Sequence, residues 1–347
     1  MRDRVLEAGA NRQAIGTAEQ KLERLWNGEG GSTLEGLRLA LAPFEAVYRL
    51  TVAARNRAYD AGLLRTVRVD ARVLSVGNLS VGGTGKTPVA AWLAAELVER
   101  GQRPAILHGG YATDEPDLHR VWNPNVPVIV GRDRVAGGMR AIAGGSTVLV
   151  LDDGFQHRRL ERDLDLVLIA AESWTPAPKL LPRGPWRERP DALRRATLIA
   201  ITRKTADAAR TANVVRSVRA FSARAPIVTL AIRPAGWRRA DGREGKPPGE
   251  VVAVAGIAAP APFVANAREA GAHVSGVITY SDHHAYDARD GDSIASAAQG
   301  RAIVTTEKDW MKLAGRLDDT QVWLLRQRVD VEAGEHALGE AIETLLA

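Results

Sequence analysis

Short runs of apolar residues alternate with longer stretches of helical spacing through most of the chain. Val73, Leu74 and Val76, then Pro104 to Leu107, Thr147 to Leu151, Asp165 to Ile169 and Leu198 to Thr202 are rich in aliphatic residues with few polar interruptions. Runs of that kind suit strands buried on both faces, as in a parallel sheet covered by helices. Pro88 to Arg100, between the first two, has a helical pattern. The alternation predicts α/β architecture: a mostly parallel sheet flanked by helices. From Ile227 to Val254 the character changes, with an apolar stretch, a segment from Gly236 to Glu250 rich in Arg, Gly and Pro, and a second apolar run. We read this as a two-stranded hairpin linker over 229–252, dividing a core at 67–228 from a smaller α/β domain at 253–347.

Ahead of the core lies a region, 1–66, that belongs with the first domain. Between Leu34 and Tyr59, residues Leu37, Leu41, Phe44 and Tyr48 fall on one helical face, with Arg38, Arg49, Arg55 and Arg57 interspersed and Pro43 placed to start or kink the helix. The spacing predicts an amphipathic helix, either lying on a membrane surface or packed on its own domain, and its charges are too frequent for a membrane span. Met1 to Gly31 carries no apolar h-region, so no secretory leader is expected.

Composition narrows the chemistry. The 347 residues include no cysteine, which excludes disulfides, thiolate metal sites and cysteine nucleophiles and suits a reducing cytoplasm. Lys and Arg number 47 against 41 Asp and Glu, a net charge of +6 that favours an acidic partner such as a phosphorylated substrate or an anionic membrane surface. Aromatic residues do not interleave with the basic ones as a base-stacking platform would, so nucleic acid is not an expected partner. No protein partner is predicted.

The strongest local signal is Ser75 to Pro88, S-V-G-N-L-S-V-G-G-T-G-K-T-P, set between the first predicted strand and the first helix. Ser80, Val81, Gly82, Gly83, Thr84 and Gly85 form a loop whose backbone N–H groups can turn around phosphate oxygens. Lys86 adds a mobile positive charge, and the Thr87 hydroxyl is a magnesium ligand in such loops. The pattern is that of a P-loop nucleotide-binding fold, with Ser80 standing where the first glycine of the strict motif would fall. Asp152 and Asp153 end the apolar run at 147–151, where a carboxylate can meet the metal beside a phosphate loop. Asp114 and Glu115 follow the strand at 104–107, at the end of a sheet where ligands sit. The adjacent pair His283 and His284 lacks the i, i+4 spacing of a helical metal site.

Taken together, the phosphate loop, D-E-P at Asp114, D-D-G-F-Q-H at Asp152, L-P-R-G-P-W-R-E at Leu181, A-G-I-A-A-P at Ala255, S-D-H-H-A-Y at Ser281 and T-T-E-K-D at Thr305 resemble the tetraacyldisaccharide 4'-kinase family, in that family's order. The likeness runs from Leu25 and Trp26 to the last strand. It implies transfer of the ATP γ-phosphate, with Mg²⁺, to the 4'-hydroxyl of a tetraacyl glucosamine disaccharide 1-phosphate, a step of lipid A synthesis. It places the chain peripherally at the cytoplasmic face of the bacterial inner membrane, touching it through the N-terminal helix. Carried over by motif, Asp114 is the base for the sugar hydroxyl, His283 orients it, Lys86 and Thr87 handle phosphate and Mg²⁺, and Asp152, Asp153 and Glu115 complete the metal environment. Asn78, His157, Arg183, Arg187 and Glu188 are candidate substrate contacts. Two features depart from the family pattern: the second strand ends His108-Gly109-Gly110-Tyr111 without the family's serine and arginine, and the stretch before Asp114 is short.

Two rival readings remain at this level. A P-loop GTPase would carry Asn-Lys-x-Asp, and the nearest segment, Thr202 to Asp207, has neither the asparagine nor the spacing. A nucleotide-binding module at a membrane would bind ATP without a phosphorylated product.

Overall fold

The structure is a computed structural model that describes residues 25–26, 31–110, 114–257, 260–282 and 284–347. The chain forms two compact units, Leu22–Ile232 together with Val329–Ala347, and Arg233–Arg328.

In the first unit, β1 (Arg72–Asn78), β2 (Pro104–His108), β3 (Val128–Val130), β4 (Val148–Asp152), β5 (Leu164–Ala170), β6 (Leu198–Arg203) and β7 (Ile227–Arg239) build a sheet in the order β7-β6-β5-β1-β4-β2-β3. All of these pairings are parallel. Side-chain alternation divides each strand between two cores. Val148 and Val150 of β4 face the core shared with α3 (Lys86–Glu99), whereas Leu149 and Leu151 face the one shared with α5 (Arg134–Ala143). Helix α4 (Glu115–Trp122) precedes β3, and α6 (Ala208–Arg219) buries Val214 and Val218 beside Val167 and Ile169 of β5. The C-terminal end of β1 requires glycine at position 77. A Cβ on Gly77 would lie 2.5 Å from Phe155 Cβ and 2.6 Å from its backbone nitrogen.

The N-terminal helix is two helices, α1 (Gly31–Ala40) and α2 (Ala42–Asp60), with Pro43 in the first turn of the second. The face expected from Leu37, Leu41, Phe44 and Tyr48 is not a single buried stripe. Tyr48 packs on the first unit's core, but Leu37 and Phe44 are exposed, together with Val47 and Leu50. No residue of α2 is fully buried. What points inward on α2 is largely polar: Glu45, Arg55 and Asn56 bond to the protein.

The strands of the second unit also pair in parallel. Here β9 (Glu250–Ala255), β10 (His273–Thr279), β11 (Ala302–Thr306) and β12 (Val322–Ala333) run in the order β10-β9-β11-β12. Phe263, Val264 and Ala267 of α7 (Pro260–Glu269) cover one face, and Ile294 of α8 (Ala288–Ala298) with Trp310 and Leu313 of α9 (Glu307–Leu313) cover the other. The runs at 227–232 and 251–254 do not pair as the expected hairpin. Strand β7 turns back on the two-residue β8 (Glu244–Gly245), and β9 joins β10 and β11. The chain also leaves the second unit before its end, because Leu338, Ile342 and Leu345 of α10 (Glu335–Leu346) lie one helical face apart and bury into the first unit's core beside Val89 and Leu93.

Candidate functional site

Register alone assembles the site in the first unit. In the β1–β4 pair Val76 lies opposite Asp152, so the phosphate loop leaves β1 where β4 delivers its two aspartates. The loop turns at Gly82 and Gly85, with φ of 103° and 87°, values a side-chain-bearing residue rarely adopts. Gly85 is the residue before α3, and a Cβ there would overlap Ile232 Cδ1. Ser80 needs no glycine because it is still extended, bridged antiparallel to Trp186. The loop is fixed from below by buried Asn78, whose Nδ2 donates to Thr84 Oγ1 at 2.8 Å. Thr202 Oγ1 donates to the Thr84 carbonyl at 2.9 Å, and Lys204 Nζ to the Gly83 carbonyl at 3.0 Å. Lys86 and Thr87 open α3, half-buried.

The two aspartates divide the work. Asp153, itself at a positive φ of 57°, lies 3.8 Å from Lys86 Nζ and accepts from Arg187 Nη1 at 2.8 and 2.7 Å. Burial pushes its pKa up, but Lys86 and Arg187 outweigh that and hold it below the usual carboxylate value. Asp152 is 1% exposed, and its Oδ2 is 2.8 Å from Nε2 of the wholly buried His119. Burial again raises its pKa, and the His119 hydrogen bond, with the positive charge of Lys86 nearby, brings it below the usual value. Its second oxygen, Oδ1, is buried with no hydrogen-bond partner among the described residues. His108, Glu115 and Asp152 each offer a donor atom within 4.8 Å of the others. Asp114 is buried directly before Glu115.

Magnesium is the cation the motif implies, and the donor set fits it. The carboxylates of Asp152 and Glu115 are hard oxygen ligands, and the orphaned Asp152 oxygen is the kind of buried atom that a bound ion satisfies.

The remaining sequence candidates fall into place differently. Glu188 is 3% exposed and already accepts from Asn56, Gln156 and Arg195. Arg187 is spent on Asp153, and Arg183 pairs with Glu45 of α2 at 3.2 Å. The segment carrying them braces the loop, since Val81 donates its N–H to the Pro185 carbonyl and Arg187 its N–H to that of Leu79, both at 2.7 Å. His157 is half-buried, its pKa lowered to about 4 by burial and then by Arg134. His283 lies outside the described residues. Its neighbours in the second unit are firmly held: His284 bonds Asp290 at 2.8 Å and stacks on Tyr280, and Tyr286 donates to buried Asp309. Sequence reasoning missed His108, His119 and Gln156, single polar residues with no periodicity of their own. The one available signal was their position at strand ends or one helical turn from Glu115.

Comparison with known proteins agrees with the geometry. Residues 37–347 match the model of the tetraacyldisaccharide-1-P 4'-kinase family, LpxK. The tetraacyldisaccharide 4'-kinase of Anaeromyxobacter sp. (strain Fw109-5) is 36% identical over 94% of this chain and 96% of its own length. That of Syntrophus aciditrophicus (strain SB) is 38% identical over 85% and 90%. The crystal structure of LpxK from Aquifex aeolicus in complex with ATP superposes with a TM-score of 0.73 at 29% identity, covering 90% of this chain and all of that one. With matches of this extent from sequence and structure alike, the chain belongs to the tetraacyldisaccharide 4'-kinase family.

Proposed function

We propose that the chain uses ATP to phosphorylate the 4'-hydroxyl of a tetraacyl glucosamine disaccharide 1-phosphate, giving lipid IVA, with Asp114 as the base. The observation that carries this reading is the juxtaposition of Val76 with Asp152, which sets a carboxylate pair at the mouth of a glycine-turned loop ending in Lys86. Backbone N–H groups from Gly82 to Thr87 cradle phosphate. Lys86, steered by Asp153, adds a positive charge, and Arg187 keeps Asp153 in place. Thr87, Asp152 and Glu115 would hold magnesium, which offsets the charge developing on the transferred phosphoryl group. Asp114, beside Glu115 in sequence, takes the proton of the acceptor hydroxyl, a role that requires it to come within hydrogen-bond reach of that hydroxyl. His283 keeps the orienting role implied by the family motif.

Membrane contact runs through α2. Phe44, Val47 and Leu50 are each more than 60% exposed, flanked by Arg49 and Arg57 that suit an anionic leaflet, and no helix among the described residues is long and apolar enough to cross a bilayer. A need for ATP together with a lipid acceptor suits a peripheral contact at the cytoplasmic face of the inner membrane, as the family resemblance implies.

The test is transfer of labelled γ-phosphate from ATP to tetraacyldisaccharide 1-phosphate in detergent micelles. Labelled lipid from wild type, lost in Asp114→Ala and Lys86→Ala while Asp114→Ala still binds ATP, supports the reading. ATP binding with no lipid product refutes it in favour of a nucleotide-binding module or another acceptor.

A further inference from the structure

Two histidines that no motif accounts for sit against the two carboxylates of the cation site. His108 ends β2, whose register with β4 places Leu107 opposite Leu151, so His108 and Asp152 emerge side by side. His119 lies one helical turn after Glu115 on α4, an i, i+4 pair on one face of the helix. From these positions His108 Nε2 meets Glu115 Oε2 at 2.9 Å and His119 Nε2 meets Asp152 Oδ2 at 2.8 Å. Both imidazoles are buried, His108 at 3% and His119 at 0% exposure.

The hydrogen-bond pattern sets the direction of these bonds. His108 Nδ1 accepts the Gly110 N–H at 3.2 Å, which leaves the ring proton of the neutral imidazole on Nε2, facing Glu115. An ionised carboxylate only accepts, so His119 likewise presents Nε2–H to Asp152. A histidine that ligates a metal shows the opposite arrangement, donating from its outer nitrogen and leaving the inner one bare. Each imidazole therefore ties down one carboxylate oxygen, and on Asp152 the other oxygen is left buried and without a hydrogen-bond partner among the described residues.

We propose that His108 and His119 are positioning residues that hold Glu115 and Asp152 in the geometry that receives the nucleotide's magnesium, acting as N–H tethers and not as ligands. The inference rests on the reading of this carboxylate pair as the cation site. Without the tethers, two carboxylates this close would repel and turn toward solvent, and the ion would have to reorganise them on binding. Tethers to ligating side chains of this kind are typically worth ~10- to 100-fold in metal affinity.

Mn²⁺ serves as the probe, its binding to the protein with ADP followed by electron paramagnetic resonance in wild type, His108→Ala, His108→Gln, His119→Leu and His119→Gln. Glutamine places an N–H near the position of imidazole Nε2. We expect Mn²⁺ affinity to fall ~10- to 100-fold in the alanine and leucine variants and to recover most of that loss in the glutamine variants. The KM for ATP at saturating Mg²⁺ should stay within about threefold of wild type. Unchanged Mn²⁺ affinity in His108→Ala and His119→Leu would overturn the proposal, as would glutamine variants no better than these. So would a histidine nitrogen coupling in the Mn²⁺ spectrum that disappears in His108→Ala, since that would make His108 a ligand. If wild type binds Mn²⁺ and the variants behave as expected but no lipid is phosphorylated, the functional reading fails and the tethers stand. Lipid phosphorylation with unaltered Mn²⁺ binding in every variant fails the tethers alone.

Discussion

Glu188 separates two accounts of the L-P-R-G-P-W-R-E segment, because the sequence offers it as a substrate contact and the structure as an internal brace. Its carboxylate is 3% exposed and accepts from Asn56 Nδ2 at 2.7 Å, Gln156 Nε2 at 3.1 Å and Arg195 Nη2 at 3.0 Å. Glu188→Ala strands two amide donors and a guanidinium only 18% exposed, which also stacks over the Phe155 ring. Breaking a buried pair by removing one partner typically costs ~3–5 kcal/mol. Glu188→Gln keeps one acceptor oxygen and should cost less, about 1.5–3 kcal/mol for the charge-assisted part. At ~2–4 °C per kcal/mol for a unit of this size, the alanine variant should melt roughly 10 °C below wild type and the glutamine variant about half as far. Thermal unfolding followed by tryptophan fluorescence reports this, paired with KM for the lipid acceptor below the melting range. An alanine variant that melts with wild type and shows only a raised acceptor KM would refute the brace and restore the substrate contact.

Three further outcomes follow from named contacts. Gly77→Ala should destabilise the first unit by ~3 kcal/mol, because the new Cβ meets the backbone of Phe155 in a strand with no slack; an unchanged urea midpoint would contradict the register of β1 against the D-D-G-F turn. His157, with a folded pKa of about 4 against 6.5 when unfolded, is protonated first in the unfolded chain. Its contribution is therefore intact above pH 6.5 and lost as pH falls toward 4, up to about 3 kcal/mol. His157→Gln should flatten that part of the stability-versus-pH curve, and an unaltered curve would mean that His157 titrates normally. Replacing Phe44, Val47 and Leu50 by Glu should abolish co-sedimentation with anionic phospholipid vesicles while leaving the melting temperature within 2 °C or so, since none of the three is buried. Vesicle binding that survives would move membrane contact off α2.

Five strands of the first unit, β1, β2, β4, β5 and β6, were legible within a residue or two, and for a physical reason: a strand buried on both faces must be a continuous apolar run, and a run such as Val148–Asp152 has few other uses, whereas the three-residue edge strand β3, none of it fully buried, carries no such signal. The phosphate loop and the pair Asp152 and Asp153 were legible because loop geometry restricts residue type. What stayed hidden depends on partners far away in sequence. Nothing local in Leu181 to Glu188 says that it lies antiparallel to Leu79 and Val81, and nothing in the last helix says that it returns to the first unit. The aspartates look equivalent in sequence. Only the fold turns one toward Lys86 and Arg187 and the other toward His119.

Helix α2 shows the same limit from the other side. A hydrophobic period is ordinarily the mark of the face that packs, yet here the large apolar side chains Phe44, Val47 and Leu50 point outward, and the helix is held to the first unit largely by polar bonds. Glu45 accepts from the Leu180 N–H and from Arg183, Arg55 donates to the Gln156 carbonyl, Asn56 donates to Glu188, and Arg158 reaches both the Asn56 carbonyl and Asp60. Such bonds are directional, so they fix the rotation of the helix about its axis in a way that greasy packing would not. They also end on functional ground. Gln156 donates to the Asn78 carbonyl at the root of the phosphate loop and lies within reach of Arg187, the partner of Asp153. A helix anchored by its polar face presents its apolar face at a set angle, and the groups that set the angle are the ones that hold the loop. If the membrane contact proposed for α2 holds, these bonds would fix the angle of the phosphate loop to the lipid surface.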